Sequence, residues 1–338
     1  MLKSTVNSVR PSSKVVCRAL LQQPHINHHH GFDGLSEQLR SRQQSSSQAS
    51  SSGPQGPIPT HVACIMDGNF RWGSRRGGDW RRGHVEGVNA LRRVVKFCRR
   101  DGVKALTVYA FSTENWERSR EEVAFLMRLM ERTLDAEVSE LHSQGVRLTF
   151  AGDRAALPES LRRSVLRAEE ATKDNTALIL CVCLSYGGRQ DIVHAVQQLC
   201  AEVQQGKLVP DQVTEQHLSS RLSTHVTRSQ IGDPDLLIRT SGEQRLSNFL
   251  LWESAYTELY FTSTCWPDFD AHDWEEAMLY FASRQRRYGG RSSAGQLGRT
   301  SRDKPIDGVK PPACCLSGRQ DASSITTVIQ LFACCFSR

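Results

Sequence analysis

The chain has 338 residues, 38% hydrophobic and 23% charged, and its 43 Lys+Arg against 36 Asp+Glu give a net charge of +7. That length suits one large or two small domains, and no apolar run reaches the ~20 residues of a membrane-spanning helix. The basic excess invites a nucleic-acid partner, but its placement argues against one: residues 1–60 carry six basic and two acidic side chains, residues 291–338 carry seven and three, and the stretch between is nearly neutral.

Residues 1–60 hold twelve serines, the run His28-His29-His30 and few acids. Such a segment buries too little apolar surface to fold alone. An Arg- and Ser-rich, acid-poor leader reads as an organelle transit peptide. The abundance of serine puts a plastid ahead of a mitochondrion or the cytosol and ER surface. An ordinary disordered tail is the other reading.

Residues 61–66 form an apolar strand that ends at Asp67. Residues 61–100 contain ten Lys/Arg and three acids, a local excess suited to a small anionic ligand. Helical spacing over 83–100 puts Val88, Leu91, Val95 and Cys98 on one face. Arg92, Arg93, Lys96, Arg99 and Arg100 read as its solvated face. Residues 105–111 are a second strand. Residues 121–142 are a long amphipathic helix with Val123, Leu126, Met130, Leu134, Val138 and Leu141 at three- and four-residue steps. Strands follow at 146–151, 178–184, 236–239 and 259–262, and helices at 161–172, 190–203 and 274–287. Six cysteines in this region (Cys64, Cys98, Cys181, Cys183, Cys200, Cys265) lack metal-ligand spacing and read as small buried hydrophobes. Past residue 290, Pro311-Pro312 end any helix. The apolar end at 325–336 is about half a membrane span. It and the pairs Cys314-Cys315 and Cys334-Cys335 leave room for acylation and peripheral membrane contact. An unstructured tail is the simpler reading.

Strands alternating with helices predict an α/β protein, with a mainly parallel central sheet flanked by helices on both faces. The expected organisation is a leader at 1–60, one domain at 61–290 and a tail at 291–338. Ligands of such sheets bind beyond the carboxyl ends of the strands. The residues there are Asp67-Gly68-Asn69, Ser112-Thr113-Glu114-Asn115, Tyr186-Gly187-Gly188-Arg189 and Arg239-Thr240-Ser241-Gly242. No GxGxxG follows the first strand, and GxxxxGK[ST] and GxSxG are absent. Backbone N–H groups after Asp67 can cradle a phosphate, and Mg²⁺ would reconcile that phosphate with the carboxylate. Arg239, Arg245 and Ser247 suit a second phosphate group, with Glu258 expected as a further carboxylate on the same side. Two phosphate sites on one sheet suggest chemistry between two phosphorylated substrates.

The segments HVACIMDGNFRW, LTVYAFSTENWER, LSYGGRQDI, PDLLIRTSGEQRLSNFLLWESAYTELYFT and WPDFD…RRYGG occur in order along residues 61–290. In order and spacing they resemble the cis-prenyltransferase family, of undecaprenyl- and dehydrodolichyl-diphosphate synthase type. The resemblance implies a Mg²⁺-dependent enzyme that condenses isopentenyl diphosphate with an allylic diphosphate such as farnesyl diphosphate. The product is a Z-polyprenyl diphosphate, grown along an apolar tunnel lined by the 123–141 helix and the strand carrying Leu178. By the same resemblance Asp67 holds Mg²⁺ and the allylic diphosphate, which Gly68, Asn69, Phe70, Arg71 and Trp72 bind with His84 beside it. Asn115 acts near proton removal, and Ser112, Thr113, Glu114, Trp116 and Arg118 order the following loop. Arg239, Arg245, Leu246 and Ser247 bind isopentenyl diphosphate, and Glu258 is a metal-site carboxylate. Arg287-Tyr288-Gly289 matches a C-terminal element that reaches a partner subunit, implying a homodimer or a heteromer. A weakly catalytic subunit supporting an active partner is the alternative function.

Two positions depart from the family. Phe70 stands where it has glycine, and Trp80 where it usually has a phosphate-binding arginine. If position 70 requires positive φ, a phenylalanine there is strained. Ser241 replaces a glycine found in many members.

Overall fold

A computed structural model describes residues 56–286. The leader and tail expectations, the Arg287-Tyr288-Gly289 element and the tail cysteines therefore lie outside the described residues, apart from the leader's last five positions. Six strands form one parallel sheet: β1 (His61–Ile65), β2 (Ala105–Ser112), β3 (Val146–Ala151), β4 (Leu178–Tyr186), β5 (Leu236–Arg239) and β6 (Glu258–Phe261). Their order is β3-β4-β2-β1-β5-β6. Eight α-helices accompany them among the described residues: α1 (Asn69–Arg75), α2 (Trp80–Asp101), α3 (Arg120–Ser143), α4 (Glu159–Thr172), α5 (Gly188–Gln204), α6 (Glu215–Ser219), α7 (His225–Ile231) and α8 (Ala271–Ala282). Every expected strand is present. The expected helices are present too, starting up to three residues earlier at their caps, but the last of them stops at Ala282, short of the expected 287. Asp79, Ser119 and Asp270 each accept a backbone N–H of the first turn at α2, α3 and α8.

Side chains alternate across the sheet. Val62 and Cys64 of β1 face the larger core, with Val94 and Cys98 of α2, Leu161 and Val165 of α4, and Trp274 and Met278 of α8. Ala63 and Ile65 face the other side, with Cys181, Cys183, Leu237, Phe249 and Leu250. There Thr227 of α7 meets Thr149 of β3 at 3.1 Å. Both faces of the sheet are thus covered. No helix among the described residues is long and apolar enough to cross a membrane.

Three expectations need correcting. Cys200 is exposed and Cys265 half-buried, while Cys64, Cys98, Cys181 and Cys183 lie in the core. The buried face of α5 runs through Asp191, Ala195 and Leu199, and Cys200 lies off it, so it has no core to join. Arg93 is a structural clasp and not solvated surface: its Nη2 donates to the Pro267 carbonyl at 2.8 Å and the Phe269 carbonyl at 3.1 Å. Third, the segment after Asp67, for which no helix is expected, is a short helix, α1. With only seven residues and no apolar period, it leaves no pattern to read.

The smaller face hides Glu253, 3% exposed. Thr224 Oγ1 donates to Glu253 Oε1, and Oε2 has no partner among the described residues. Burial pushes this carboxyl up to about 7, and the charges of Asp191 and Asp233 add to the rise. The folded chain therefore keeps a proton that the unfolded chain loses near pH 4.5, so the penalty grows as pH rises from there to about 7. Glu253→Gln retains the acceptor and removes the charge. It should stabilise the protein on the order of 2 kcal/mol at pH 8 and little at pH 4.5. Denaturant melts at both pH values check this, and an equal shift at both would sink it.

Candidate active site

Asp67 leaves β1 beside the end of β5, because Ile65 pairs with Arg239 across the ladder. Its loop is clamped from two sides. Thr240 Oγ1 donates to the Asp67 carbonyl at 2.7 Å, and the Trp266 N–H reaches the same oxygen at 3.0 Å. Gly68 then takes φ +101°, which turns the chain into α1. A Cβ there would meet Cys265 and Ser241 at 3.0 Å, so both conformation and space favour glycine.

Arg239 is 3% exposed. Its Nη2 pairs with Asp67 Oδ2 at 3.0 Å, and its Nη1 donates to Ser247 Oγ at 2.8 Å and to the Arg245 carbonyl. Arg71, one turn along α1, approaches Asp67 Oδ1 at 3.5 Å. Its other nitrogen lies 3.7 Å from Glu243, which also pairs with Arg245. The charges alternate along one line: Arg239, Asp67, Arg71, Glu243, Arg245. The two sets of residues expected to hold phosphate thus meet at the Asp67 carboxylate. Leu246 packs from the smaller core beside them. Glu243 was not singled out from sequence, although a carboxylate two residues before Arg245 in a glycine turn is a signal that it faces the same cations.

The second cluster follows β2. Ser112 and Asn115 exchange hydrogen bonds in a capping box, at 3.1 and 3.2 Å. Trp116 Nε1 donates to Ser185 Oγ at 3.0 Å, and its ring packs edge-on to Phe111. Glu114 accepts from Asn248 at 2.8 Å. Arg118 pairs with Glu122 at 2.8 Å. Trp116 and Glu114 thereby tie this turn to the ends of β4 and the segment after β5.

His84 is drawn in by α2. Burial, and secondarily the charge of Arg118, pushes it down to about 4, so its ring is neutral near pH 7. Asn69 lies across Gly87, and the α1 backbone rests against Gly83. Asn69 Oδ1, Trp72 Nε1, His84 Nε2, Thr113 Oγ1 and Ser241 Oγ are all buried without a hydrogen-bond partner among the described residues. Such atoms are uncommon in native proteins and here gather at one end of the sheet. Asn69 and His84 also line a cavity of about 300 Å³ that runs between α2 and α3. Leu91 and Val95 form one wall, Leu126, Met130 and Leu134 another, and Leu180 and Val182 the floor. Leu178 is fully buried and does not line it, so β4 contributes its later residues.

Glu258 does not join this group within the chain. It pairs in register with Leu236, the first residue of β5, whereas Arg239 is the last. It stands at the amino end of the strands, bonded to Arg284 at 2.9 Å. Phe70 also differs from expectation. It lies inside α1 with no positive φ, and the left-handed residue is Gly68. Phenylalanine is therefore unstrained at position 70.

Strain appears elsewhere. Ser185, Ser241, Ser247, Asn248 and Leu250 have positive φ. Ser185 ends toward β4's last residue and the other four follow β5, so strain collects around the site. Ser241, at φ +78°, also carries a buried unpartnered hydroxyl. Ser241→Gly should raise stability by about 1 kcal/mol. A thermal melt with no gain would show that the hydroxyl is held.

A family profile described as "Putative undecaprenyl diphosphate synthase" matches residues 65–289. The chain is 48% identical over 230 residues to the ditrans,polycis-undecaprenyl-diphosphate synthase ((2E,6E)-farnesyl-diphosphate specific) of Escherichia coli strain K12, covering 68% of this chain and 89% of that protein. It is 46% identical over 237 residues to an isoprenyl transferase of Geobacillus kaustophilus, covering 70% and 91%. Among solved structures it is similar to lavandulyl diphosphate synthase from Lavandula x intermedia in complex with dimethylallyl diphosphate. That likeness has a TM-score of 0.66 and 39% identity, and covers 69% of this chain and 98% of that one. With the profile spanning most of the domain and the site residues at the strand ends, the chain belongs to the undecaprenyl diphosphate synthase family of cis-prenyltransferases.

Proposed function

We propose that this chain condenses isopentenyl diphosphate with an allylic diphosphate to give a Z-prenyl diphosphate. One observation carries the reading: Asp67 is shared by Arg71 and Arg239, cations from two different strand ends, and stands between Met66 and Asn69, which line an apolar cavity. Two diphosphate head groups and a growing hydrocarbon need this combination.

In the reaction the C1–O bond of the allylic diphosphate breaks and pyrophosphate leaves with the bonding pair. The double bond of isopentenyl diphosphate attacks that carbon, and loss of a proton from the adduct restores neutrality. Gly68, Asn69, Arg71 and Trp72 hold the allylic head group, with neutral His84 beside it. Arg239, Arg245 and Ser247 hold the isopentenyl diphosphate. Their guanidinium groups face the charge that develops on the leaving group. Asn115 and Ser112 position the reacting carbons near proton removal. The cavity takes the hydrocarbon and keeps water from it.

Asp67 is the candidate holder of Mg²⁺. No cluster of three ligating side chains exists among the described residues. A single partly exposed carboxylate beside phosphate oxygens still suits Mg²⁺, which takes one or two carboxylates and substrate phosphates. When bound, the ion would offset diphosphate charge. Glu258 can serve such a site only from a second copy, which supports a homodimer or a heteromer with a similar chain. The half-buried edge strand β6 and Tyr256, 71% exposed beside it, offer a face for that contact.

The test is incorporation of labelled isopentenyl diphosphate into farnesyl diphosphate by the purified full chain with Mg²⁺. Incorporation supports the enzyme. No product, with activity restored by a similar subunit, would overturn it in favour of a supporting subunit. The plastid address of residues 1–60 is a further proposal, which a fluorescent fusion that stays cytosolic would remove.

A further inference from the structure

Phe70 lies three residues after Asp67 and is 48% exposed. Its ring is stacked on Trp80, with centroids 6.0 Å apart and planes at 17°. Trp80, the first residue of α2, meets His84 edge-on at 5.8 Å and Phe125 of α3 at 5.2 Å. Arg81 lies 4.7 Å over the Trp80 ring and pairs with Glu121 of α3. Three helices therefore join in one aromatic stack at the Asp67 end of the cavity.

Core packing accounts for Phe125, which is half-buried against the larger core. It does not account for Phe70, whose ring has one face on Trp80 and much of its area in solvent. A substrate with its head group at Asn69 and Arg71 and its tail in the cavity must pass Asn69 and His84, which line the cavity's near end. Phe70 is the chain neighbour of Asn69, and Trp80 touches His84. The part of the substrate at that point is the allylic carbon and its first isoprene unit. It is flat, apolar and electron-poor as the diphosphate leaves, and the faces of aromatic rings favour such a group.

Resting on the prenyl-transfer reading above, we propose that Phe70 and Trp80 form a single allylic-binding unit, an aromatic wall against which the first isoprene unit of the allylic diphosphate packs. Steady-state kinetics on the full chain with Mg²⁺ test it, with geranyl and farnesyl diphosphate each varied at saturating isopentenyl diphosphate, and then the reverse. Phe70→Ala and Trp80→Ala should each raise the KM for both allylic substrates roughly tenfold while the KM for isopentenyl diphosphate stays within about twofold. The factor should be the same for both allylic substrates, because they share that first unit. The double variant should be little worse than Trp80→Ala, because the two rings act as one stack. Trp80→Phe should restore most of the loss. Unchanged allylic KM values, or equal rises in the KM of both substrate types, would overturn the proposal. If Trp80→Ala does not fold, the half-exposed Phe70→Ala carries the test alone. Failure of the underlying reading looks different, since the unmodified chain would then incorporate no isopentenyl diphosphate.

Discussion

Asp67→Asn should lower turnover by about three orders of magnitude in a protein that still folds. The carboxylate lies between two guanidinium groups, at 3.0 Å from Arg239 and 3.5 Å from Arg71. Asparagine keeps the size and one acceptor oxygen, so the loop clamped by Thr240 and Trp266 should hold its path. What it loses is the negative charge that organises both cations and would bind Mg²⁺. Removing one preorganised electrostatic group typically costs 10²–10³ in rate, and losing a bound metal adds to that. The stability cost is smaller. Arg239 retains Ser247 Oγ and the Arg245 carbonyl as acceptors, so about 1–3 kcal/mol is expected rather than unfolding. Rates with labelled isopentenyl diphosphate, set beside a denaturant melt, separate the two effects. A variant with more than a tenth of normal turnover would show that Asp67 is not at the centre of the reaction.

The layered fold was legible because each strand is an apolar run bounded by polar residues. His61–Ile65, fully buried, and Leu178–Tyr186, nearly so, can hardly be anything else. The rule that ligands sit past the carboxyl ends of strands then located the site loops. It could not show that the loops after β1 and β5 are neighbours, since strand order comes from pairing across 170 residues and leaves no local mark. This is why the cationic residues of the two loops read as two sets from sequence and prove to share Asp67. Glu258 was misplaced for a reason that sequence does contain. It precedes its apolar run whereas Asp67 follows one, and in a parallel sheet these are opposite ends. Phe70 raised concern because glycine at a strand end suggests positive φ, yet that conformation falls two residues earlier. The stacking of Phe70 on Trp80 was beyond reach: it depends on how α1 crosses α2, and residues ten apart on different helices have no periodic relation.

That crossing itself is open to test through Gly83. In an exposed helix interior, replacing glycine by alanine gains roughly 0.5–1 kcal/mol, because alanine loses less backbone entropy. Gly83→Ala should do the reverse and cost about 3 kcal/mol. A Cβ there would sit 1.8 Å from the Asn69 carbonyl oxygen and 3.0 Å from the Gly73 nitrogen. Both are backbone atoms, so no side chain can swing aside and α1 must move as a body. Gly73 closes the contact from the other helix, where a Cβ would lie 2.6 Å from the Asp79 carbonyl. Because α1 carries Asn69 and Arg71, the displacement should also reach the chemistry. A shift of about 1 Å in positioned groups can cost on the order of 100-fold in rate. Melting temperature and turnover should therefore fall together in Gly83→Ala, whereas Asp67→Asn loses turnover with a modest change in stability. A stabilised Gly83→Ala protein would mean that the two helices stand farther apart than the Asn69–Gly83 contact requires.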